Sequence, residues 1–221
     1  MAPPKPIKAV VFDLDGVLVD TESVWAEVRE QLALESGGRW TASSQRDMMG
    51  MSSPEWSRYM HDQLGVPLAP ATISRQVVEG LESRLREHVP LLPCARETVA
   101  ALAASWPLAI ASSANRPVID LVLELTGLDA LFRATISSEE VPRGKPAPDV
   151  YLEAARRLRA DPTSCAAIED SANGLRAAAA AGMRVIAIPN REFPPDPEAL
   201  GLADEVLGSL AELGPDQVRD G

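Results

Sequence analysis

The stretch Ile7-Lys8-Ala9-Val10-Val11-Phe12-Asp13-Leu14-Asp15-Gly16 decides the fold. Its first part is a short apolar run rich in β-branched residues, which is typical of a strand buried on both faces. Two aspartates and a glycine follow where such a strand ends. Because open parallel sheets bind ligands beyond the carboxyl ends of their strands, the stretch predicts a buried strand that leads into a site.

Similar runs recur along the chain. Further buried strands are predicted at 108–111, 134–136, 165–168 and 185–188. Stretches with helical spacing lie between them, at 94–104, 116–126, 147–159 and 171–181. This alternation predicts an α/β fold, with a Rossmann-like, doubly wound parallel sheet that carries helices on both faces.

One region interrupts the alternation. From about Thr21 to His88 the sequence shows helical patterns and no convincing strand, and Pro90 and Pro93 suit a connecting segment after it. We therefore predict an α-helical cap of residues 21–88, inserted into a catalytic core formed by residues 1–20 and 89–221.

Composition narrows the class of protein. The chain has 221 residues and a net charge of -11, which argues against nucleic acid or an anionic membrane as a partner.

No apolar run approaches the length of a membrane span, and the first residues contain no apolar signal core. Cys94 and Cys165 are too few for a disulfide framework. We expect a cytoplasmic protein, and a monomer.

Polar side chains follow the predicted strands at the edge where ligands bind. They are Asp13, Asp15, Ser112, Ser113, Asn115, Lys145, Glu169 and Asp170. Any one of these residues could have a purely structural role. Asn115, Asp170 or the neighbouring Ser171, for example, could cap a helix. Together, four carboxylates at one edge would repel each other unless a cation lay among them, and oxygen ligands of this kind suit Mg²⁺.

Lys145 is distinctive because the chain has only three lysines, Lys5, Lys8 and Lys145, and otherwise uses arginine. A surface that needed only positive charge could use arginine throughout. A single internal lysine among strand-end carboxylates indicates a role in binding an anionic group, although a surface charge remains the alternative.

Four motifs along the chain are similar to those of the haloacid dehalogenase-like hydrolases. The first is Phe12-Asp13-Leu14-Asp15-Gly16-Val17-Leu18-Val19-Asp20-Thr21, and Ser112 fits the second. Lys145-Pro146-Ala147-Pro148-Asp149-Val150-Tyr151 and Glu169-Asp170-Ser171-Ala172-Asn173-Gly174 fit the third and fourth. The motifs occur in the family's order, and the helical insertion resembles the cap of the branch that contains β-phosphoglucomutase and the sugar phosphatases.

The resemblance implies an enzyme, a phosphatase that hydrolyses a small phosphorylated metabolite through an aspartyl phosphate on Asp13. Asp15 would give a proton to the leaving oxygen and later take one from water. Ser112 would bind a phosphoryl oxygen, and Lys145 would neutralise charge on the phosphoryl group.

The resemblance also implies a Mg²⁺ cofactor. Its ligands would be Asp13, the backbone carbonyl of Asp15 and Asp170, with Glu169 bound directly or through water.

Substrate contacts are expected from five further residues: Gly16, Ser113, Asn115, Glu22 and Arg46. Gly16 would let the backbone turn sharply towards the phosphate. Trp25 could line the substrate pocket or pack within the cap.

Departures from the motifs separate the members of the family. Asp15 and Asp170 argue against a dehalogenase, and the absence of lysine from 21–90 argues against a phosphonatase. Trp25 stands where β-phosphoglucomutase has a histidine, so a phosphosugar mutase is the alternative rather than the first interpretation. The run from Asp20 to Trp25 resembles hexose- and hexitol-phosphate phosphatases, which favours a sugar or polyol phosphate. A non-catalytic phosphate-binding regulatory protein remains the alternative of another class.

Overall fold

The computed structural model describes residues 6–219. It contains a six-stranded, all-parallel sheet. The strands are β1 (Ala9–Phe12), β2 (Leu108–Ser112), β3 (Ala134–Ser137), β4 (Cys165–Glu169), β5 (Arg184–Ala187) and β6 (Glu205–Val206). Their order is β3-β2-β1-β4-β5-β6, so the chain runs outward from β1 in both directions. The predicted α/β fold with a doubly wound sheet is confirmed.

Helices follow in chain order within residues 6–219. They are α1 (Glu22–Glu35), α2 (Ser44–Met48), α3 (Ser53–Asp62), α4 (Pro70–Glu87), α5 (Ala95–Ala103), α6 (Arg116–Thr126), α7 (Asp149–Leu158), α8 (Ala172–Ala180), α9 (Pro197–Leu200) and α10 (Pro215–Arg219). None of them is both long and apolar enough to cross a bilayer.

Both faces of the sheet are covered, as the continuous apolar strands require. Val10 and Phe12 of β1 belong to one apolar cluster, which extends to α5, α6 and the inserted helices. Ala9 and Val11 point to the other face and join a second cluster with α7 and α8. Small alanines dominate this second cluster, and they let α7 and α8 approach the sheet closely.

The inserted segment consists of α1 to α4. α4 packs against α1 and α3, and it buries apolar residues four apart, Ile73, Val77, Leu81 and Leu85. The two connections to the sheet run side by side, with Asp20 N donating to Pro90 O at 2.7 Å. The division into a core and a cap at residues 21–88 stays a prediction, and residues 1–5 and 220–221 of that core lie outside the described part.

The sequence did not predict α2, α9, α10 or β6. α2 has only five residues, Ser44–Met48, and most are polar, so no apolar periodicity marks it. β6 has two residues, Glu205–Val206, and pairs with β5 alone at the edge of the sheet. Elements this short depend on the neighbours that pack against them.

The register of the central strands brings the polar residues to one level. Phe12 is paired with Ile110 of β2 and with Ile168 of β4. Asp13 and Glu169 therefore follow directly at the same edge, which is where a doubly wound sheet binds its ligands.

Candidate active site

Asp13 lies at the carboxyl end of β1. Its backbone N–H continues the sheet by donating to Ile168 O at 3.0 Å, and the residue is 6% exposed. Oδ1 accepts a hydrogen bond from Leu14 N at 2.8 Å and forms an ion pair with Lys145 Nζ at 3.0 Å. Burial raises the pKa of Asp13, and the positive charge of Lys145 opposes that rise.

Lys145 is almost completely buried, at 1% exposed. Its ammonium lies between Asp13 and Glu169, with Glu169 Oε1 at 2.6 Å. These two carboxylates raise the pKa of Lys145 although its burial acts to lower it. The lysine therefore stays protonated in the site and supplies a fixed positive charge.

Glu169, at the end of β4, is surrounded by hydrogen-bond donors. Oε1 accepts from Lys145 and from the Tyr151 hydroxyl at 2.7 Å. Oε2 accepts from the backbone of Asp170 at 3.0 Å and from the backbone and hydroxyl of Ser171, both at 3.2 Å. Five donors leave this carboxylate little capacity for another ligand.

Asp170 contrasts with its neighbour. Both of its carboxylate oxygens are buried, and within residues 6–219 neither has a hydrogen-bond partner. Burial, together with the charges of Glu169 and Asp13, raises the pKa of Asp170. The cap of α8 is supplied instead by Ser171, whose hydroxyl accepts from Gly174 N. The helix-cap alternative for Asp170 is therefore not what the structure shows.

Gly16 makes room for this carboxylate. Its φ is +78°, and a Cβ at this position would lie 2.0 Å from Asp170 Oδ2. Only glycine permits so close an approach of the backbone with this φ.

A cation fits the arrangement. Carboxylate oxygens of Asp13, Glu169 and Asp170 all lie within 4.8 Å of one another. A buried carboxylate without a partner is costly unless a positive charge compensates it. The unpartnered oxygens of Asp170 therefore mark the position where a hard, oxygen-binding ion would sit.

Asp15 is half-buried and faces the first turn of the inserted segment. Its Oδ1 accepts hydrogen bonds from the Thr21 hydroxyl and from Trp25 Nε1, the latter at 3.1 Å. Ser112 Oγ makes a long contact of 3.5 Å to Oδ2 and accepts from Ala114 N at 3.0 Å. Trp25 is thus both packed, at 4% exposed, and part of the site.

Ser113 and Asn115, two of the predicted substrate contacts, bond to the inserted segment. Ser113 Oγ donates to Gly50 O at 2.9 Å. The Asn115 amide donates to Glu139 at 2.7 Å and accepts from Ser53 Oγ at 2.8 Å, and its side chain makes no helix-cap hydrogen bond.

Glu22 and Arg46 lie in different surroundings. Glu22 lines the cavity above Asp13 and Asp15, where burial and the charge of Asp15 raise its pKa to about 7. Arg46 is exposed on α2 and is not among the residues that line this cavity.

The sequence analysis overlooked Arg29 and Tyr151. Arg29 lines the same cavity as Glu22 and Trp25. A signal existed, because these three residues stand at i, i+3 and i+7 and so share one face of α1. Tyr151 lies within the third motif, but nothing in the sequence indicates that its hydroxyl reaches Glu169.

Comparisons with known proteins identify the family. A family model described as a haloacid dehalogenase-like hydrolase matches residues 7–182. Hexitol phosphatase B of Escherichia coli (strain K12) is 35% identical over 222 residues, which cover 96% of this chain and 97% of that protein. Fructose-1-phosphate phosphatase of the same strain is 29% identical over 187 residues, covering 80% of this chain and 94% of that protein.

One solved structure is similar to this chain in both fold and sequence. CbbY from Rhodobacter sphaeroides, in complex with phosphate, superposes with a TM-score of 0.85 at 30% identity, covering 97% of this chain and all of that one. The family model spans most of the chain, and a relative above 30% identity covers nearly all of it. The chain therefore belongs to the haloacid dehalogenase-like hydrolases and is an enzyme of their phosphatase branch.

Proposed function

We propose that the chain hydrolyses a small phosphate monoester, a sugar or polyol phosphate, with Mg²⁺ and through an aspartyl phosphate on Asp13. One observation carries the proposal: the unpartnered, buried carboxylate of Asp170 lies beside Asp13, which Lys145 contacts at 3.0 Å. This combination provides a nucleophile, a cation site and a fixed positive charge.

Asp13 acts as the nucleophile. Oδ1 is held by Lys145 and Leu14 N, whereas Oδ2 has no hydrogen bond to any residue in 6–219. Oδ2 attacks phosphorus, a bond forms between this oxygen and phosphorus, and the bond to the leaving oxygen breaks. Water then attacks the aspartyl phosphate, which releases phosphate and restores the carboxylate.

The residues present fit Mg²⁺. Asp13, Asp170 and the backbone carbonyl of Asp15 would hold it, and Glu169, already bonded by five donors, would act by fixing Lys145 rather than as a direct ligand. When bound, the ion neutralises the phosphate and the attacking carboxylate, so that two anions can approach each other.

Asp15 transfers protons. It lies two residues after Asp13 on the loop that follows β1, and its side chain would give a proton to the leaving oxygen while Asp13 attacks. Trp25 and Thr21 hydrogen-bond its Oδ1 and hold its orientation. Ser112, at the end of β2, would bind a phosphoryl oxygen, and Ser113 lines the cavity that contains Asp13.

The substrate class rests on the relatives and on the cavity. Two relatives are named as phosphatases of a hexitol phosphate and of fructose 1-phosphate. Glu22 and Arg29 bring polar groups to the cavity that contains Asp13 and Asp15. Trp25 stands where β-phosphoglucomutase has a histidine, which disfavours a mutase. We propose a monomeric, cytoplasmic enzyme, and gel filtration tests the oligomeric state.

The test is turnover of p-nitrophenyl phosphate and of a panel of sugar and polyol phosphates, with Mg²⁺ and with EDTA. We expect phosphate release that requires Mg²⁺, and Asp13→Asn should reduce it at least about a thousandfold. Asp120→Asn, at a side chain 61% exposed on α6, is the matched control and should keep wild-type activity. Mass spectrometry of acid-quenched enzyme should detect one phosphoryl group on the peptide that contains Asp13.

Other outcomes would identify the alternatives. Full activity of Asp13→Asn would refute the proposal that Asp13 is the nucleophile. Formation of a hexose bisphosphate without phosphate release would show a mutase. Phosphate binding without turnover of any ester would show a regulatory protein.

A further inference from the structure

Arg29 is a buried cation in the same cavity as the proposed catalytic carboxylates. It is 5% exposed and lines the cavity that contains Asp13 and Asp15. Its guanidinium carbon lies 4.5 Å from the ring centre of Trp25 and 4.8 Å from that of Trp56. Contact with two aromatic rings fixes the plane of the guanidinium, because cations are attracted to ring faces.

Part of this guanidinium has no partner within residues 6–219. Nη1 donates to Gln45 Oε1 at 3.2 Å, and Nε is buried without any acceptor. Glu22 acts on Arg29 through its charge, without a direct hydrogen bond. Leaving a charged donor buried and unbonded is costly. The edge formed by Nε and Nη2, which can donate two parallel hydrogen bonds, is therefore free to bind a ligand.

The surrounding charges decide what kind of ligand fits. Burial lowers the pKa of Arg29 to about 10, so it stays positive at neutral pH, while the charges of Glu22 and Asp15 both act on it. A second anion on the substrate would be repelled by Asp15, and by Glu22 to the extent that Glu22 is ionised. Hydroxyl groups would not be, since a hydroxyl can accept from a guanidinium and donate to a carboxylate.

We propose that Arg29 is a specificity-determining residue whose free guanidinium edge binds two neighbouring hydroxyls of the leaving group. The inference rests on the proposed phosphatase function and extends it from the phosphoryl group to the alcohol that departs. Trp25 and Trp56 hold the guanidinium in position for this contact. Arg29 therefore governs which ester is chosen more than how fast phosphorus is transferred.

The experiment compares two substrates of equal length, a hexitol 6-phosphate and n-hexyl phosphate, which lacks the hydroxyls. The readout is the ratio of their kcat/KM values. Arg29→Met keeps an unbranched side chain between the rings without the guanidinium, and the ratio should fall at least about tenfold. Arg29→Lys keeps the charge without the two-pronged edge and should show a comparable fall. Arg86→Met, at an exposed position on α4, is the matched control and should keep the wild-type ratio.

Contrary outcomes are distinct. An unchanged ratio in either variant, with a wild-type circular dichroism spectrum, overturns the inference. So does a larger loss for a phosphorylated carboxylic acid such as phosphoglycolate than for the hexitol phosphate, which would assign Arg29 to a second anion. If the unmodified enzyme hydrolyses p-nitrophenyl phosphate but not the hexitol phosphate, this inference alone is overturned. Absence of turnover for every ester overturns the proposed phosphatase function as well.

Discussion

The ammonium nitrogen of Lys145 lies 3.0 Å from Oδ1 of Asp13, and both side chains are almost entirely shielded from water. The same nitrogen lies 2.6 Å from Glu169, whose side chain is fully buried. One cation thus compensates two buried carboxylates. The arrangement makes these three charges part of the folded core, so changes to them should affect stability as well as the proposed turnover.

Replacing Lys145 with methionine should lower both stability and activity. Asp13 and Glu169 would lose their buried cation, and breaking such a pair costs about 3–5 kcal/mol. Loss of a fixed charge at the phosphoryl group should reduce kcat by roughly a hundredfold or more. Urea denaturation at pH 7 and turnover of p-nitrophenyl phosphate measure the two effects. Arg143→Met, whose side chain is 70% exposed beside Asp149, should change stability by less than about 1 kcal/mol.

Replacing Gly16 with alanine should abolish Mg²⁺ binding. The new Cβ would lie 2.0 Å from Asp170 Oδ2, so the carboxylate would have to leave its place. The positive φ adds strain of its own, which Gly37→Ala controls for, because Gly37 has φ +79° and its Cβ would meet no atom within 4 Å. Mg²⁺ titration by calorimetry should give binding for Gly37→Ala and none for Gly16→Ala. Equal Mg²⁺ affinity in the two variants would contradict the ligand role of Asp170.

Stability should depend on the protonation of Glu22. Burial and the charge of Asp15 raise its pKa from 4.5 to about 7. Between these values the folded state binds a proton that the unfolded state has released, so this group's contribution to stability falls as the pH rises from about 4.5 to 7. Glu22→Gln removes the titration. The free energy of unfolding of wild type minus that of Glu22→Gln should therefore decrease between pH 4.5 and pH 7.

Urea denaturation between pH 4.5 and pH 7 measures this difference in the free energy of unfolding. Glu30→Gln, at an exposed position on the same helix, should follow the wild type at every pH. A constant difference between wild type and Glu22→Gln would refute the raised pKa.

Hydrogen bonds from core side chains hold the segment after α2 over the site. Asn173 Nδ2 donates to Met49 O at 2.9 Å, and Ser113 Oγ donates to Gly50 O at 2.9 Å. Asn173→Ala should raise KM by about two- to tenfold, since one such bond contributes about 0.5–1.5 kcal/mol. Amide hydrogen exchange at residues 49–51 should become faster. Asn190→Ala, which alters the turn in which Glu192 N and Phe193 N donate to Asn190 Oδ1, should change neither quantity.

Much of the core followed from local patterns. The apolar runs at β1 to β5 identified five of the six strands, because a strand buried on both faces must be almost wholly apolar. The polar residues after those runs identified the edge where Asp13, Lys145, Glu169 and Asp170 meet. The sequence analysis missed β6, α2, α9 and α10 because elements of two, four or five residues carry too short a pattern.

The sequence by itself determined how the main strands and helices succeed one another along the chain and which residue types follow each strand. Both depend only on spacing along the chain. Only the tertiary structure decided how those side chains are used. Glu169 and Asp170 are adjacent carboxylates, yet the first has five donors and the second has none within residues 6–219. Arg29 faces the cavity and Arg46 faces solvent. Tertiary packing sets the rotation of each helix about its axis. Spacing along one helix therefore cannot reveal which of its faces meets the end of a distant strand.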